Sequence, residues 1–201
     1  MPDWDENSPE LEANLQAALR DARANALARV RPTLALVRRW HELMMRGLGV
    51  PDPTMVSNYR GEAGLENCNV IVGRLSGVHA RLVRKALQSF EREIQVRVAL
   101  LDGPIAPGAF PTARQIADVV ALCAWAHAEW LRIHPFANGN GRTARLWANF
   151  LARRHGLPFF VLLRPRPGNG YGAAGSAAMR GNCKPTEIVF MSMLATFLAE
   201  N

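Results

Sequence analysis

Only one stretch of the chain, Asn69-Val-Ile-Val-Gly73, has the pattern of a β-strand. It is short, rich in β-branched residues and bounded by glycine, which is typical of a strand in a small hairpin. A chain of 201 residues with so little β-structure has to bury its apolar residues between helices. The sequence therefore predicts an all-α fold, a helical bundle with one small β-hairpin.

The remaining segments show helical patterns separated by loops rich in proline and glycine. The predicted helices cover residues 9–30, 33–47, 79–100, 112–132, 142–156, 171–181 and 186–199. Thr112 and Gln115 form a capping box at the start of the fourth helix, whose strongly apolar sequence makes it the central helix of the core. Residues 1–50 are predicted to form an N-terminal helical arm packed on a core domain of residues 51–201.

Residues 134–145 read His-Pro-Phe-Ala-Asn-Gly-Asn-Gly-Arg-Thr-Ala-Arg, and this stretch has the features of an anion site. Gly139 and Gly141 allow positive φ and can turn their amides toward one point. A helix that starts at Arg142 would direct its first amides and its partial positive charge to the same point. Arg142 and Arg145 are three residues apart, so they share a helical face and can both bind phosphate oxygens.

A histidine precedes this predicted phosphate cradle. His134, on an extended segment held by Pro135, would lie beside the anion as a base near neutral pH. Phe136 is expected to anchor the loop in the core. The other four histidines lack such neighbours and are expected to be structural or surface residues: His41, His79, His127 and His155.

The same stretch resembles the signature of the Fic (Fic/Doc) family, His-Pro-Phe-x-(Asp/Glu)-Gly-Asn-Gly-Arg-x-x-Arg. The residues that match outright are His134, Pro135, Phe136, Gly139, Asn140, Gly141, Arg142 and Arg145. Asn138 stands where the family has an acidic residue. The order of elements over residues 55–195 also resembles the Fic fold, in which a hairpin flap lies upstream of the signature, where Cys68 to Val78 lies here.

The resemblance implies a chemistry for these residues. Fic proteins typically transfer a nucleoside monophosphate, usually AMP from ATP, to a hydroxyl of a target protein. His134 would deprotonate the target Ser, Thr or Tyr, whose oxygen attacks the α-phosphorus. The loop from Gly139 would bind the phosphates, with Asn140, Gly141 and Arg142 at the α- and β-phosphates. Arg145 would hold the γ-phosphate. The implied activity is that of a protein adenylyltransferase, a nucleotidyltransferase with ATP as substrate.

Gly141 separates two branches of the family. The phosphotransferase Doc has a lysine at this position and donates the γ-phosphate of its nucleotide. A glycine leaves room for a β-phosphate in the nest, which favours transfer of a nucleoside monophosphate over kinase activity.

Asn138 is the departure from the signature. The family's carboxylate at this position holds the Mg²⁺ that bridges the α- and β-phosphates, whereas asparagine offers a neutral oxygen and Mg²⁺ prefers charged ones. Three hypotheses stay open: weak Mg²⁺ binding that relies on the phosphates of ATP, a different phosphate-linked donor or metal use, and a slow enzyme or nucleotide-binding pseudoenzyme.

Two further features are candidates for substrate contacts. An exposed edge strand can capture an extended target segment by main-chain pairing. We therefore expect a target docking flap composed of Asn69, Val70, Ile71, Val72 and Gly73. Tyr171 is a candidate for stacking on the nucleobase, with a place in the core as the alternative.

Many Fic proteins are silenced by a helix with the pattern Ser/Thr-x-x-x-Glu-Gly/Asn, whose glutamate pairs with the second signature arginine. Residues 196–201 fit this pattern, so Glu200 is an autoinhibitory candidate. Residues 8–13 fit it except at the last position, which makes Glu12 a second candidate. A separate antitoxin that carries the glutamate, as in toxin–antitoxin pairs, is the alternative, and a homo-oligomer stays open.

The formal net charge of +7 comes from 24 basic residues, of which only Lys85 and Lys184 are lysines. No run of four basic residues occurs and aromatic residues do not alternate with them, so nucleic-acid binding is not favoured. The charge suits attraction of nucleotides and acidic partners.

Other features of the composition bear on the compartment. No apolar run approaches the roughly 20 residues that span a bilayer, so no membrane partner is expected. Cys68, Cys123 and Cys183 are scattered without CxxC spacing, which indicates a reducing cytosol rather than disulfides or a zinc site. The acidic N-terminus lacks the pattern of a secretory signal. The sequence predicts a cytoplasmic protein.

Overall fold

The structure, a computed structural model, describes residue 4, residues 6–168 and residues 170–200. In this part of the chain the helices are α1 (Pro9–Leu27), α2 (Leu34–Met45), α3 (Ala80–Asp102), α4 (Ala113–Ile133), α5 (Asn140–Arg154), α6 (Tyr171–Met179) and α7 (Lys184–Glu200). A short 3-10 helix, Pro53–Met55, and the strands β1 (Ile71–Val72) and β2 (Leu75–Ser76) lie between α2 and α3. The predicted all-α fold with one small hairpin is confirmed. None of the described helices has the length and apolar content needed to cross a bilayer.

Helix α4 lies at the centre of the bundle and contacts α3, α5, α6 and α7. Trp130 of α4 meets Trp147 of α5 with 6.1 Å between ring centroids, and Trp40 of α2 lies 5.1 Å from Trp147. Phe90 of α3 lies 5.3 Å from Trp130. All four rings are buried and meet edge-on or tilted, which the charge distribution of aromatic rings favours. This cluster fixes α4 and α5, and with them the loop that joins the two helices.

The N-terminal segment packs on the same core. Helix α1 contacts both α2 and α5, and its buried residues recur every three or four positions: Leu11, Leu15, Ala18, Ala22 and Ala26. The helix begins at Ser8, whose hydroxyl accepts from the Leu11 amide at 3.1 Å. It ends at Leu27, before the predicted end, because Arg29 adopts a φ of 49°. The division into an arm and a core domain remains a prediction.

The hairpin is shorter than the strand predicted over residues 69–73. Only Ile71 and Val72 form β1, which pairs antiparallel with β2. Asn69 lies outside the strand, and its side-chain oxygen accepts from the Ala80 amide at 2.9 Å, where α3 begins. Gly73 has a φ of 62° and turns the chain back, which ends the strand on the other side.

Candidate active site

A cleft of about 1170 Å³ opens between α1, the hairpin, the α4–α5 loop and the loop before α6. Every residue predicted for catalysis, phosphate binding or metal binding lines it: His134, Asn138, Gly139, Asn140, Gly141, Arg142 and Arg145. Tyr171 and the flap residue Val72 line it as well. The structure thus brings the predicted site residues together.

The floor of the cleft is the start of α5, which begins at Asn140 and not at Arg142 as predicted. Gly139 caps the helix with a φ of 78°, whereas Gly141 is helical and does not have positive φ. A Cβ on Gly139 would lie 2.8 Å from Met45 Cε and 3.3 Å from His41 Nε2, so a side chain here would require both neighbours to shift. The residues that the resemblance assigns to the α- and β-phosphates, Asn140, Gly141 and Arg142, are therefore the first three of the helix. Such amides have no acceptor within their own helix and carry its partial positive charge.

His134 ends α4 in the left-handed conformation, with a φ of 55° and its amide donating to the Trp130 carbonyl at 2.9 Å. The extended conformation expected for this residue is therefore wrong. Its Nδ1 lies 3.2 Å from the Leu131 carbonyl. Because a carbonyl only accepts, Nδ1 must carry the hydrogen, and Nε2 keeps its lone pair.

Burial lowers the pKa of His134 to about 4, against the opposing effect of the Leu131 hydrogen bond. The nearby cation of Arg60 lowers this pKa further. The imidazole is therefore neutral at pH 7, with Nε2 in the form that accepts a proton.

Arg60 supports the site through contacts that the sequence does not reveal. It is 1% exposed, and its guanidinium donates to four main-chain carbonyls, at distances from 2.6 to 3.1 Å. These carbonyls belong to Cys68, Val78, Ile133 and His134. Two of them flank the hairpin and two belong to the end of α4. Arg60 therefore joins the hairpin to the segment that carries His134.

The hairpin also packs directly on His134. A Cβ on Gly77 would lie 2.7 Å from the Cβ of His134 and 3.0 Å from the Arg60 guanidinium. Only glycine allows this approach. The resemblance places residue 77 in the flap segment, Cys68 to Val78, but does not reveal its contact with His134.

His41 contacts the loop between α4 and α5 from α2, which agrees with the structural role expected for this histidine. Its Nδ1 accepts from the Ser57 amide at 3.0 Å, so its Nε2 donates to the Asn138 carbonyl at 3.1 Å. The ring stacks on buried Phe136 with 3.9 Å between centroids. Burial lowers the pKa of His41 to about 4, so it stays neutral. Phe136 anchors the loop, as expected.

The side chain of Asn140 closes the loop on itself. Its Oδ1 accepts from the Phe136 amide and its Nδ2 donates to the Phe136 carbonyl, both at 2.8 Å. The residue is 2% exposed, so this carboxamide fixes the loop and is not available to a ligand.

Asn138 is placed differently from a metal ligand. Its Oδ1 accepts from the Gly139 amide and from Nη2 of Arg142, the latter at 3.3 Å. Arg142 also donates from Nη1 to the Trp4 carbonyl at 3.0 Å. A neutral oxygen that accepts two hydrogen bonds, one from a cation, is a poor ligand for Mg²⁺. The side chains at this position do not fit a protein-held Mg²⁺.

Arg145 is oriented by its neighbours. Its Nη1 donates to the Tyr171 hydroxyl at 3.1 Å and its Nη2 to the Leu163 carbonyl at 2.8 Å. Nε2 of His127 lies 2.7 Å from the same hydroxyl, and burial lowers the pKa of this histidine to about 3. Tyr171 is 3% exposed, so it lines the cleft while its hydroxyl holds Arg145.

The two candidate inhibitory glutamates lie in different places. Glu12 is on α1 and lines the cleft together with Arg142 and Arg145. Glu200 is exposed at the end of α7 and is not among the described residues that line the cleft. Asn201, the last residue of its pattern, lies outside the described residues. The geometry therefore favours Glu12 over Glu200 as the autoinhibitory residue.

The hairpin forms one wall of the cleft through Val72 and Leu75. Ile71, on the same strand, is 69% exposed. The hairpin thus has an apolar edge at the mouth of the cleft, close to His134. Asn69 does not belong to this edge, because its side chain binds the Ala80 amide at the start of α3.

Comparisons with known proteins agree with this geometry. The model of the Fic/DOC family matches residues 31–152. The chain is 31% identical to protein adenylyltransferase fic-1 of Caenorhabditis elegans over 122 residues, which cover 60% of this chain and 20% of that protein. It is 44% identical to the Caenorhabditis briggsae protein of the same name over 45 residues, 22% and 9% of the two chains. The chain thus spans at most a fifth of the length of these relatives.

Solved structures share the fold. One is a Fic-domain-containing signalling protein from Bacteroides thetaiotaomicron, with a TM-score of 0.63 and 19% identity, covering 96% of this chain and 70% of that one. Another is the BepC effector protein of Bartonella tribocorum with bound AMPPNP, with a TM-score of 0.57 and 14% identity, covering 94% of this chain and 88% of that one.

Proposed function

Because the chain belongs to the Fic/DOC family, we propose that it is a protein adenylyltransferase, which transfers AMP from ATP to a Ser, Thr or Tyr hydroxyl of a target protein. The observation that carries the proposal is the position of His134, a neutral imidazole with an available Nε2, in the same cleft as the start of α5 and two arginines. This arrangement pairs a proton acceptor with an anion site.

The phosphates of the donor would lie on the start of α5. The main-chain amides of Asn140 and Gly141 and the guanidiniums of Arg142 and Arg145 are the donors for them. Transfer of a phosphoryl group depends mainly on positioning and on neutralising the charge of the phosphates, and these groups supply both. Arg145 suits this role because its two hydrogen-bond partners are neutral groups, which leave its charge for the phosphates.

Nε2 of His134 would take the proton of the target hydroxyl, while its oxygen attacks the α-phosphorus. The bond from the α-phosphorus to the bridging oxygen then breaks. Pyrophosphate leaves, and the guanidiniums of Arg142 and Arg145 neutralise its charge. The hydrogen bond from Nδ1 to Leu131 keeps the ring in the required tautomer throughout. An extended target segment is proposed to pair with β1, which registers its hydroxyl against His134.

Asn138 favours a second candidate, in which the protein binds a nucleotide without transferring it or uses another phosphate-linked donor. The missing carboxylate removes the charged ligand that Mg²⁺ prefers. The two candidates differ in one observable, covalent transfer from ATP.

The test is transfer of radioactive label from ATP to protein, with label on the α-phosphate in one reaction and on the γ-phosphate in another. AMP transfer predicts protein-bound label from the α-position alone. Label from the γ-position would instead establish a kinase. Binding of ATP without protein-bound label from either position would establish the second candidate.

A further inference from the structure

We propose that the cleft binds its nucleotide without a protein-held divalent cation, and that the Asn138 amide donates a hydrogen bond to a phosphate oxygen. This inference rests on the proposed function, since it takes the cleft to be a nucleotide site. It concerns the chemical form of the donor: a nucleotide free of Mg²⁺ and therefore more negative than its Mg²⁺ complex.

The orientation of the Asn138 carboxamide carries the argument. Both groups that contact its Oδ1, the Gly139 amide and Nη2 of Arg142, can only donate. The oxygen is therefore fixed on that side, and the two hydrogens of Nδ2 lie on the other side. The residue lines the cleft and is half-buried. At this position the chain offers donors, which suit an anion, and not a carboxylate, which would suit a cation.

The charges around the cleft agree with this polarity. Among the described residues that line it, four are arginines: Arg142, Arg145, Arg164 and Arg166. Glu12 is the only carboxylate among them, and His134 is neutral. The excess of cations can balance the phosphates of a nucleotide that brings no metal.

A cation at Oδ1 of Asn138 would also meet Arg142. The guanidinium lies 3.3 Å from that oxygen, so a divalent ion bound there would be within a few ångströms of a positive charge. Repulsion at such distances is strong in a partly buried site. A phosphate oxygen on the Nδ2 side of the carboxamide would instead accept a hydrogen bond from the Asn138 amide.

The experiment is calorimetric titration of ATP and of inorganic triphosphate into three proteins, the wild type, Asn138→Asp and Asn182→Asp. Each titration is made in excess EDTA and in excess Mg²⁺. Asn182 is exposed in the turn before α7, so Asn182→Asp makes the same change of charge away from the cleft. Inorganic triphosphate reports on the phosphate site whichever nucleobase the protein prefers.

We expect the wild type and Asn182→Asp to bind both ligands in EDTA as tightly as in Mg²⁺. Asn138→Asp should lose about tenfold or more in EDTA, because it replaces a donor to a charged group with a negative charge. Added Mg²⁺ should restore part of that loss. Intact-mass measurement checks that residue 138 remains an asparagine in the wild type.

Wild-type binding that tightens about tenfold or more with Mg²⁺ would overturn the inference and leave the proposed function standing. An Asn138→Asp protein that binds in EDTA like the wild type would overturn the role of the amide. If the wild type bound neither ligand in either buffer, the cleft would not be a nucleotide site, and the proposed function would be wrong.

Discussion

At the scale of single residues, the site depends on two left-handed backbone positions, His134 and Gly139. The sequence indicates the second, because Gly139 stands where a loop turns into a helix. It does not reveal the first, because a histidine with positive φ is uncommon and nothing in its own neighbours requires it. The conformation of His134 comes from the hydrogen bond of its amide to Trp130 and of its carbonyl to Arg60.

Gly139→Ala tests the packing at the start of α5. Gly108 has almost the same φ, 77° against 78°, but a Cβ there would meet nothing within 4 Å. Gly108→Ala should therefore cost only the left-handed strain, about 1 kcal/mol of the free energy of unfolding. A Cβ on Gly139 would lie 2.8 Å from Met45 Cε and 3.3 Å from His41 Nε2, so Gly139→Ala also requires these side chains to shift and should cost about 2 kcal/mol. Urea unfolding of both variants measures the difference, and equal losses would show that Gly139 is not tightly packed.

The pKa of His134 predicts the acid limb of the reaction. A base must be deprotonated, and burial lowers its pKa from 6.5 to about 4. The rate of AMP transfer should therefore stay level as the pH falls from neutral through 6.5, and should drop only as the pH approaches about 4. The measurement is the initial rate of labelling against pH, with circular dichroism at each pH to confirm the fold. A drop centred near 6.5 in folded protein would contradict the assignment.

At the scale of elements, local signals predict the helices well. The capping box of α4 forms as predicted, with the Thr112 amide donating to Gln115 Oε1 at 2.8 Å. The start of α5 differs from the prediction by two residues because Gly139, and not Gly141, provides the cap. The connection between the hairpin and α4 escapes sequence reasoning, since the farthest partner of Arg60 lies 74 positions away.

Arg60→Met tests this connection. Four carbonyls would lose a hydrogen bond, and of these Ile133 keeps a second donor, the Val78 amide, so the free energy of unfolding should fall by about 3 kcal/mol. The rate of AMP transfer should fall about tenfold or more, because His134 and the hairpin lose their common support. Loss of the Arg60 cation should also raise the pKa of His134, which moves the acid limb of the pH profile upward.

The controls for Arg60 are Arg60→Lys and Arg114→Met. Lysine keeps the charge but not the planar set of donors, so Arg60→Lys should keep the acid limb and recover the rate only in part. Arg114 is exposed at the start of α4, and Arg114→Met should change neither the rate of AMP transfer nor the acid limb of its pH profile. A folded Arg60→Met protein with the wild-type rate and pH profile would refute the positioning role.

At the scale of the whole molecule, the packing of α1 on α5 decides which segment faces the cleft. It places Glu12 in the lining of the cleft that contains Arg142 and Arg145, whereas Glu200, at the end of α7, is not among the described residues that line it. From the sequence Glu200 has the better pattern, because Asn201 satisfies its last position and Ala13 does not. Only the three-dimensional arrangement separates the two glutamates.

Glu12→Ala should raise the rate of AMP transfer, because its carboxylate competes with the phosphates for Arg142 and Arg145. The expected rise is at most about fivefold, because Glu12 is exposed and solvent screens its carboxylate. Glu200→Ala serves as the matched control and should leave the rate unchanged. Labelling rates at a fixed ATP concentration measure both. A rise with Glu200→Ala alone would reverse the assignment.

The central claim is that His134 is the base that makes the cleft a transferase site. The most direct measurement compares the wild type, His134→Asn and His79→Asn for protein-bound label from α-labelled ATP. Asparagine tolerates the left-handed conformation of residue 134 and caps α3 as well as the exposed His79 does, so both variants should fold. We predict label with the wild type and with His79→Asn, and none above background with His134→Asn. Label that persists in His134→Asn would contradict the account.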